Sequence, residues 1–263
     1  MARAEPPVTS AQRQSRFWDA QYRADPRFFG SEASPFLRWT LAALEGRSVG
    51  SRWVELGSGY GRDLATLRAR GYSVRGVDVS TVGTALARRS KLPVLRTPAL
   101  RFLARQPSNS VDVVFSNLFL NMEFSEGDHG RLLDQVARVL VPGGYHAYSV
   151  RSVTDRYYGR GSPVGPDMFD FAPNGPVLHF FSRPYAQRLR HGRLRCVRTR
   201  ATIEGEGEFP ISVLYYLEQK PARATGPTQG PGRSTARPAH SLTRLQKVSS
   251  GQERPHSRVS RDR

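Results

Sequence analysis

Apolar residues in this chain fall into short runs that alternate between strand-like and helix-like spacing. Trp53–Leu56 is a compact apolar run that breaks into glycines at alternate positions, Gly57, Gly59 and Gly61. The stretch after it, Leu64 to Arg70, spaces its apolar residues as a helix does. That is a strand, a tight turn and a helix. Further strands are predicted at Ser73–Asp78, Pro93–Thr97, Ser110–Ser116 and, after a turn at Val141-Pro-Gly-Gly, up to Val150. Leu132, Leu133, Val136 and Leu140 share one face of a helix over Gly127–Leu140. Two helices precede the glycine turn, one over Ala11–Tyr22 and one opened by Ser34-Pro35 and running to Leu44, with proline in its first turn. Strands alternating with helices predict an α/β fold with a parallel sheet.

The turn itself carries chemistry. Glycines remove Cβ atoms where the backbone must bend and admit a ligand closely. A dinucleotide fingerprint, GxGxxG, would place its third glycine at position 62, where Arg62 stands; the loop reads GxGxG with Glu55 just ahead of it. An acidic residue at the strand end suits a cationic ligand better than a pyrophosphate. Asp78 ends the next strand about twenty residues on, where a carboxylate can accept from both hydroxyls of a ribose.

ELGSGYGRD (Glu55–Asp63) resembles the first motif of the class I S-adenosylmethionine-dependent methyltransferases, and LVPGGYHAYSV (Leu140–Val150) is similar to that family's "LkPGG" element. FWDAQYRADPRFF (Phe17–Phe29) resembles the N-terminal "WDxxY" lid of small-molecule methyltransferases near the tellurite-resistance and thiopurine types, and HFFS (His179–Ser182) also recurs there. The resemblance implies a Rossmann-like, doubly wound, seven-stranded, mostly parallel sheet, closed by an antiparallel hairpin from Leu194–Glu204 and Ile211–Glu218. It implies S-adenosylmethionine as cofactor, held by Trp18, Tyr22, Glu55, Gly57, Ser58, Gly59, Gly61, Asp63, Asp78, Val79 and Asn117. Relatives often carry an aspartate after strand three to meet adenine. This chain has Pro98-Ala99 instead, which leaves adenine to backbone groups and apolar walls such as Leu100.

Asn117 and Asn121 follow strand four and point toward the transfer zone, with Phe119 and Met122 as lining candidates. Residues 151–176 are rich in Gly, Pro and aromatic residues with little periodicity, an irregular insertion on the cofactor rim. Arg151, Tyr157, Tyr158 and Phe169 are its substrate-pocket candidates. A general base is needed only if the acceptor must lose a proton; His179, Asn121 and Tyr158 are the candidates, in that order.

Charge widens the choice of partner. The chain has 263 residues, a net charge of +18 and a mean hydropathy of −0.51. Residues 220–263 hold ten Lys/Arg and two Asp/Glu, a net +8, and lack aromatic residues after Gln219. Such composition does not offset its ordering entropy, so a disordered basic tail is expected after a domain over 11–219, with residues 1–10 disordered as well. Cys196 is the single cysteine, which excludes a disulfide framework and a cysteine metal cluster; no metal is expected. With no membrane span or signal peptide, a soluble cytoplasmic protein is expected. The leading expectation is methyl transfer to a small molecule. The alternatives are methyl transfer to RNA or protein with the tail as tether to a nucleic acid or other acidic partner, and a non-catalytic nucleic-acid-binding protein on the same fold. An NAD-dependent oxidoreductase conflicts with Arg62 and the PGG element.

Overall fold

The computed structural model describes residues 9–173, 175–205 and 210–222. The disorder expected of residues 1–8 and of the tail after 222 lies outside the described residues. At the two borders the expectation shifts. Thr9 caps a helix α1 (Ser10–Ala24) through a capping box with Gln12, so order begins inside the first ten residues. Lys220 continues the pairing of the last strand, exchanging backbone hydrogen bonds with Gly143 and Gly144, one residue past the expected border.

Helix α2 (Pro35–Leu44) follows, then β1 (Arg52–Leu56), α3 (Arg62–Ala69), β2 (Ser73–Asp78), α4 (Thr81–Arg89), β3 (Val94–Arg96), α5 (Ala99–Ala104), β4 (Val111–Asn117), α6 (Glu126–Val139) and β5 (Leu140–Arg151). Strands β6 (Ser162–Gly165), β7 (Met168–Asp170) and β8 (Val177–His179) precede α7 (Arg183–Arg190), β9 (Arg195–Glu204) and β10 (Ile211–Gln219). The main sheet has the order β3-β2-β1-β4-β5-β10-β9, parallel from β3 to β5, with β10 antiparallel to both of its neighbours. The chain winds outward from β1 through β3 and then crosses to β4, so the strand order reverses between β1 and β4. In open α/β sheets that reversal leaves a crevice beyond the carboxyl ends of the strands.

One face of the sheet packs Val54, Leu56, Val114 and Tyr148 against Phe102, Leu132, Val136 and Leu189 of the helices. The other buries Trp53, Phe115, Tyr145 and Tyr215 under α2, where Phe36 stacks on Phe115 with ring centres 5.0 Å apart. No described helix is long and apolar enough to cross a membrane.

Residues 151–176 depart from expectation. They are not irregular throughout: β6, β7 and β8 form a small antiparallel sheet. Each strand spans only three or four residues, too few for alternation to stand out in the sequence.

Asp63 ties α2 to the glycine turn. It is buried, and its two oxygens accept from Ser34 N at 2.7 Å and Ser34 Oγ at 2.6 Å. Ser34 Oγ in turn caps α2 by accepting from Leu37 N. Asp63→Ala leaves these buried donors unpaired, a cost of about 3 kcal/mol for hydrogen bonds to a charged group. Urea denaturation should show an unfolding free energy lower by that amount, with the midpoint falling accordingly; an unchanged midpoint would contradict the role.

Candidate active site

At the sheet's reversal lies a cavity of about 480 Å³. Its floor is Gly57, Val77, Asp78 and Val79 from the ends of β1 and β2, with Asn117 and Leu118 after β4. Thr97, Pro98, Ala99 and Leu100 give one wall; Phe119, Asn121 and Met122 give another. The roof is α1 and the turn after it, through Gln14, Trp18, Tyr22, Phe28 and Phe29.

The glycine loop spends the amides of Gly57, Ser58, Gly59 and Gly61 on its own structure. Gly57 N and Ser58 N both donate to Val77 O, at 2.8 and 3.1 Å, and Gly61 N donates to Ser58 O at 2.8 Å. Gly59 N donates to Asp78 Oδ2 at 2.8 Å, while Ser80 N donates to Oδ1 at 2.7 Å. Gly57, Gly59 and Gly61 all take positive φ, and a Cβ on Gly57 would fall 2.6 Å from the Phe119 ring. Glu55 does not reach the cavity. It is buried against the start of α3, where it accepts from Leu64 N. Burial first, and then Asp63, holds its carboxyl well above the usual carboxylate range. Loss of solvent also raises Asp78, against the pull of the Ser80 and Gly59 amides.

The roof is bound down along its length. Ser10 Oγ donates to Glu123 O at 2.8 Å, and Arg13 pairs with the Glu123 carboxylate. Ser15 Oγ donates to Val79 O at 3.0 Å. Asp19 accepts from Ser80 Oγ at 2.6 Å and from Val82 N at 2.9 Å, so it caps the start of α4 from outside. Tyr22 lies over Gly59, and Trp18 stacks on Tyr22 with ring centres 5.8 Å apart.

The expected residues therefore separate into two groups. Trp18, Tyr22, Gly57, Asp78, Val79, Asn117, Asn121 and Arg151 border the cavity, as do Leu100, Phe119 and Met122. Ser58, Gly59, Gly61, Glu55 and Asp63 shape the loop from behind: Ser58 packs on Gly76, and Gly61 on Leu92. His179 also stands behind the wall, its Nδ1 donating to Phe124 O at 2.9 Å and its ring stacked on Tyr185. Tyr158 is half-exposed and donates to Asp167, Tyr157 carries the Arg151 guanidinium on its ring, and Phe169 packs on Phe180; none of the three borders the cavity. The insertion reaches it through Pro176 and Leu178 instead. Arg151 is held by Asp155 in a two-pronged ion pair. Asp19 and Gln14 went unnoticed in the sequence, although Asp19 sits between Trp18 and Tyr22 in the element singled out there. Asn121 is 1% exposed, and its Oδ1 has no hydrogen-bond partner. Leu118 takes a φ of +50°, a conformation uncommon for a residue with a side chain and found at functional sites.

Behind the wall His129 is fully buried, with Nε2 donating to Leu120 O at 2.7 Å and Nδ1 accepting from Tyr185 Oη at 2.8 Å. Burial lowers it to about 4, so the ring stays neutral and serves the packing.

Residues 54–148 match the family described as "Methyltransferase domain". No curated protein matches the chain. Among solved structures, an S-adenosylmethionine-dependent methyltransferase from Methanosarcina mazei is 19% identical, with 73% of this chain and 99% of that one covered at a TM-score of 0.60. The Burkholderia thailandensis 1,6-didemethyltoxoflavin-N1-methyltransferase, with 1,6-didemethyltoxoflavin and S-adenosylhomocysteine bound, is 18% identical over 83% and 93% at 0.57. The [4+2]-cyclase SpnF is 18% identical over 82% and 98% at 0.59.

A buried carboxyl raised above its ordinary value makes the protein less stable as pH climbs past the unfolded value near 4.5. Glu55→Gln keeps an acceptor for Leu64 N and removes the titration. The variant's Tm should match the parent near pH 4.5 and exceed it increasingly toward pH 8. A gap that is constant with pH would contradict the assignment.

Proposed function

We propose that this chain, whose residues 54–148 match a methyltransferase domain, is a methyltransferase that moves the methyl group of S-adenosylmethionine onto a small, largely apolar molecule. The observation that carries the reading is the roofed cavity, in which Gly57, Asp78 and Asn117 share one space with aromatic side chains of α1. A volume of about 480 Å³ lies within the range of small-molecule sites. A roof bound to Glu123, Val79 and Ser80 covers part of the cavity, which favours a small acceptor over a polymer.

The residues present fit a cationic donor and fit a pyrophosphate badly. Phosphate loops work by offering backbone amides at a helix start. Here Gly57, Ser58, Gly59 and Gly61 have spent theirs, and Glu55 takes that of Leu64. The donor supplies an already activated methyl group on a sulfonium. Asp78 is placed to accept from a ribose hydroxyl, since the amides of Gly59, Ser80 and Val79 leave its carboxylate one acceptor site. Pro98, Ala99 and Leu100 form a flat apolar wall for the base. Trp18 and Tyr22 exclude water above it.

With an activated donor, the chain's contribution is mainly alignment, which accounts for up to roughly 7–11 kcal/mol of barrier lowering in well-oriented systems. Asn121 orients the acceptor by receiving a hydrogen bond on Oδ1, which has no partner within the protein. Asn117 Oδ1 is occupied by Ser149 Oγ at 2.5 Å, so that amide is fixed and has only its N–H groups to offer. His179 stands off the cavity, and the carboxylates that border it are engaged, Glu123 by Arg13 and Asp128 by Ser125 and Arg131; a nucleophile that attacks neutral, or is already ionised, suits this arrangement.

A screen of thiol, amine and hydroxyl acceptors with labelled cofactor tests the assignment, and label in a small product is the expected result. Label only in RNA or protein would contradict it, as would conversion of a small molecule without methyl transfer. Asp78→Ala should weaken cofactor binding at least about tenfold by calorimetry; an unchanged Kd contradicts the ribose role. Asn121→Ala should lower kcat about tenfold, the worth of one hydrogen bond, with cofactor Kd unchanged. Equal loss of both would make it a cofactor ligand.

A further inference from the structure

One edge of the domain is strongly basic. Residues 64–111 carry Arg68, Arg70, Arg75, Arg88, Arg89, Lys91, Arg96, Arg101 and Arg105 against a single acid, Asp78. That is +8 of the +10 carried by residues 1–219. All nine cations are exposed, and none has a carboxylate partner among the described residues. Asp78 is turned inward to the glycine loop and offers no compensation. Elsewhere several arginines are paired: Arg13, Arg52, Arg131, Arg151 and Arg193 each meet a carboxylate.

The nine border one edge of the sheet: they sit on α3, β2, α4, β3 and α5 or just past the helix ends, with β3 as the edge strand and α5 on the face opposite α3. Arg68 reaches the backbone of Lys91, Arg88 that of Val94, and Arg96 the side chain of Thr81. Cations in the last turn of a helix gain about 0.3–1 kcal/mol from its dipole, and this accounts for Arg68, Arg88 and Arg89. It does not account for Arg75 and Arg96 on strands, nor for Arg105 and Lys91 beyond helix ends. Uncompensated like charges repel one another, so the arrangement calls for an anionic partner.

We infer that this flank binds the phosphate backbone of a double-stranded nucleic acid without regard to sequence. Eight of the nine cations are guanidinium forks, which match phosphate oxygens two at a time. Leu95 is the one large apolar residue exposed there, so the flank lacks the apolar centre of a protein interface. It likewise offers no exposed aromatic side chain to stack single-stranded bases or enter a membrane. Because α3 and α4 run back against their strands, Arg68, Arg88, Arg89 and Lys91 stand at the end of the sheet away from the cavity, while Arg96 and Arg101 flank its Thr97–Leu100 wall. The polymer is therefore a place of residence for the protein and not its methyl acceptor.

The test compares full-length protein with the full-length variant Arg68→Gln/Arg88→Gln/Arg89→Gln/Lys91→Gln, titrated with duplex DNA and duplex RNA across salt. The parent's log K should fall linearly with log salt. Each lost phosphate contact makes that slope shallower by about 0.9, so the variant's should be shallower by about 3 to 4. Affinity at moderate salt should drop at least about tenfold, and S-adenosylhomocysteine binding should be unchanged, which shows that the variant is folded. The DNA and RNA arms identify the natural duplex. A slope unchanged in this variant but lost on replacing the arginines after residue 222 overturns the inference. So does binding to polyglutamate or acidic vesicles as tight as to either duplex. Failure here leaves the methyl-transfer reading untouched, since the cavity takes no part.

Discussion

The site depends on how backbone amides are allotted around the glycine turn. A strand, a tight turn and a helix start make an anion trap whenever their N–H groups are left unpaired. Here Val77 O takes two, Asp78 takes those of Gly59 and Ser80, and Glu55 takes that of Leu64. The turn is thereby rigid and acidic. The same allotment explains why Glu55 lies behind the loop: its task is to close the helix start, and the cost is a carboxyl held in a dry place.

From that turn the rest of the site is assembled outward by polar contacts. Asp63 joins it to α2 through Ser34, and Asp19 joins α1 to α4 through Ser80. Asp78 connects loop and second strand, so the residue proposed to meet a ribose also fixes the height of Gly59. Aromatic side chains fill what remains: Tyr22 on Gly59, Trp18 on Tyr22, and Phe119 on Gly57. A Cβ at either glycine would collide with those rings, which ties the glycine spacing to the roof as well as to the bend.

Much of this was legible in the sequence because it rests on periodicity and on local spacing. The strand to Asp78, the helix from Pro35 to Leu44 and the closing hairpin follow from such patterns, and so does the placing of Asp78 and Asn117 at one crevice. What escaped depends on side-chain direction. His179, Tyr157 and Phe169 lie in the right segments, yet the short strands β7 and β8 and the pull of Phe180 turn them into the wall. Asp19 was passed over since a carboxylate on a helix reads as solvated; only the fold brings the start of α4 against it. The basic edge was visible as arginines, but the missing acids matter only once α3 and α4 are seen to pack together beside the edge strand β3.

The central claim is that this glycine turn berths a positively charged adenosyl donor and refuses a dinucleotide. Parallel calorimetric titrations of the full chain with S-adenosylmethionine and with NAD⁺ test it most directly. The account predicts saturable one-to-one binding of the first and no measurable heat from the second. Binding of NAD⁺ with none of S-adenosylmethionine would contradict it.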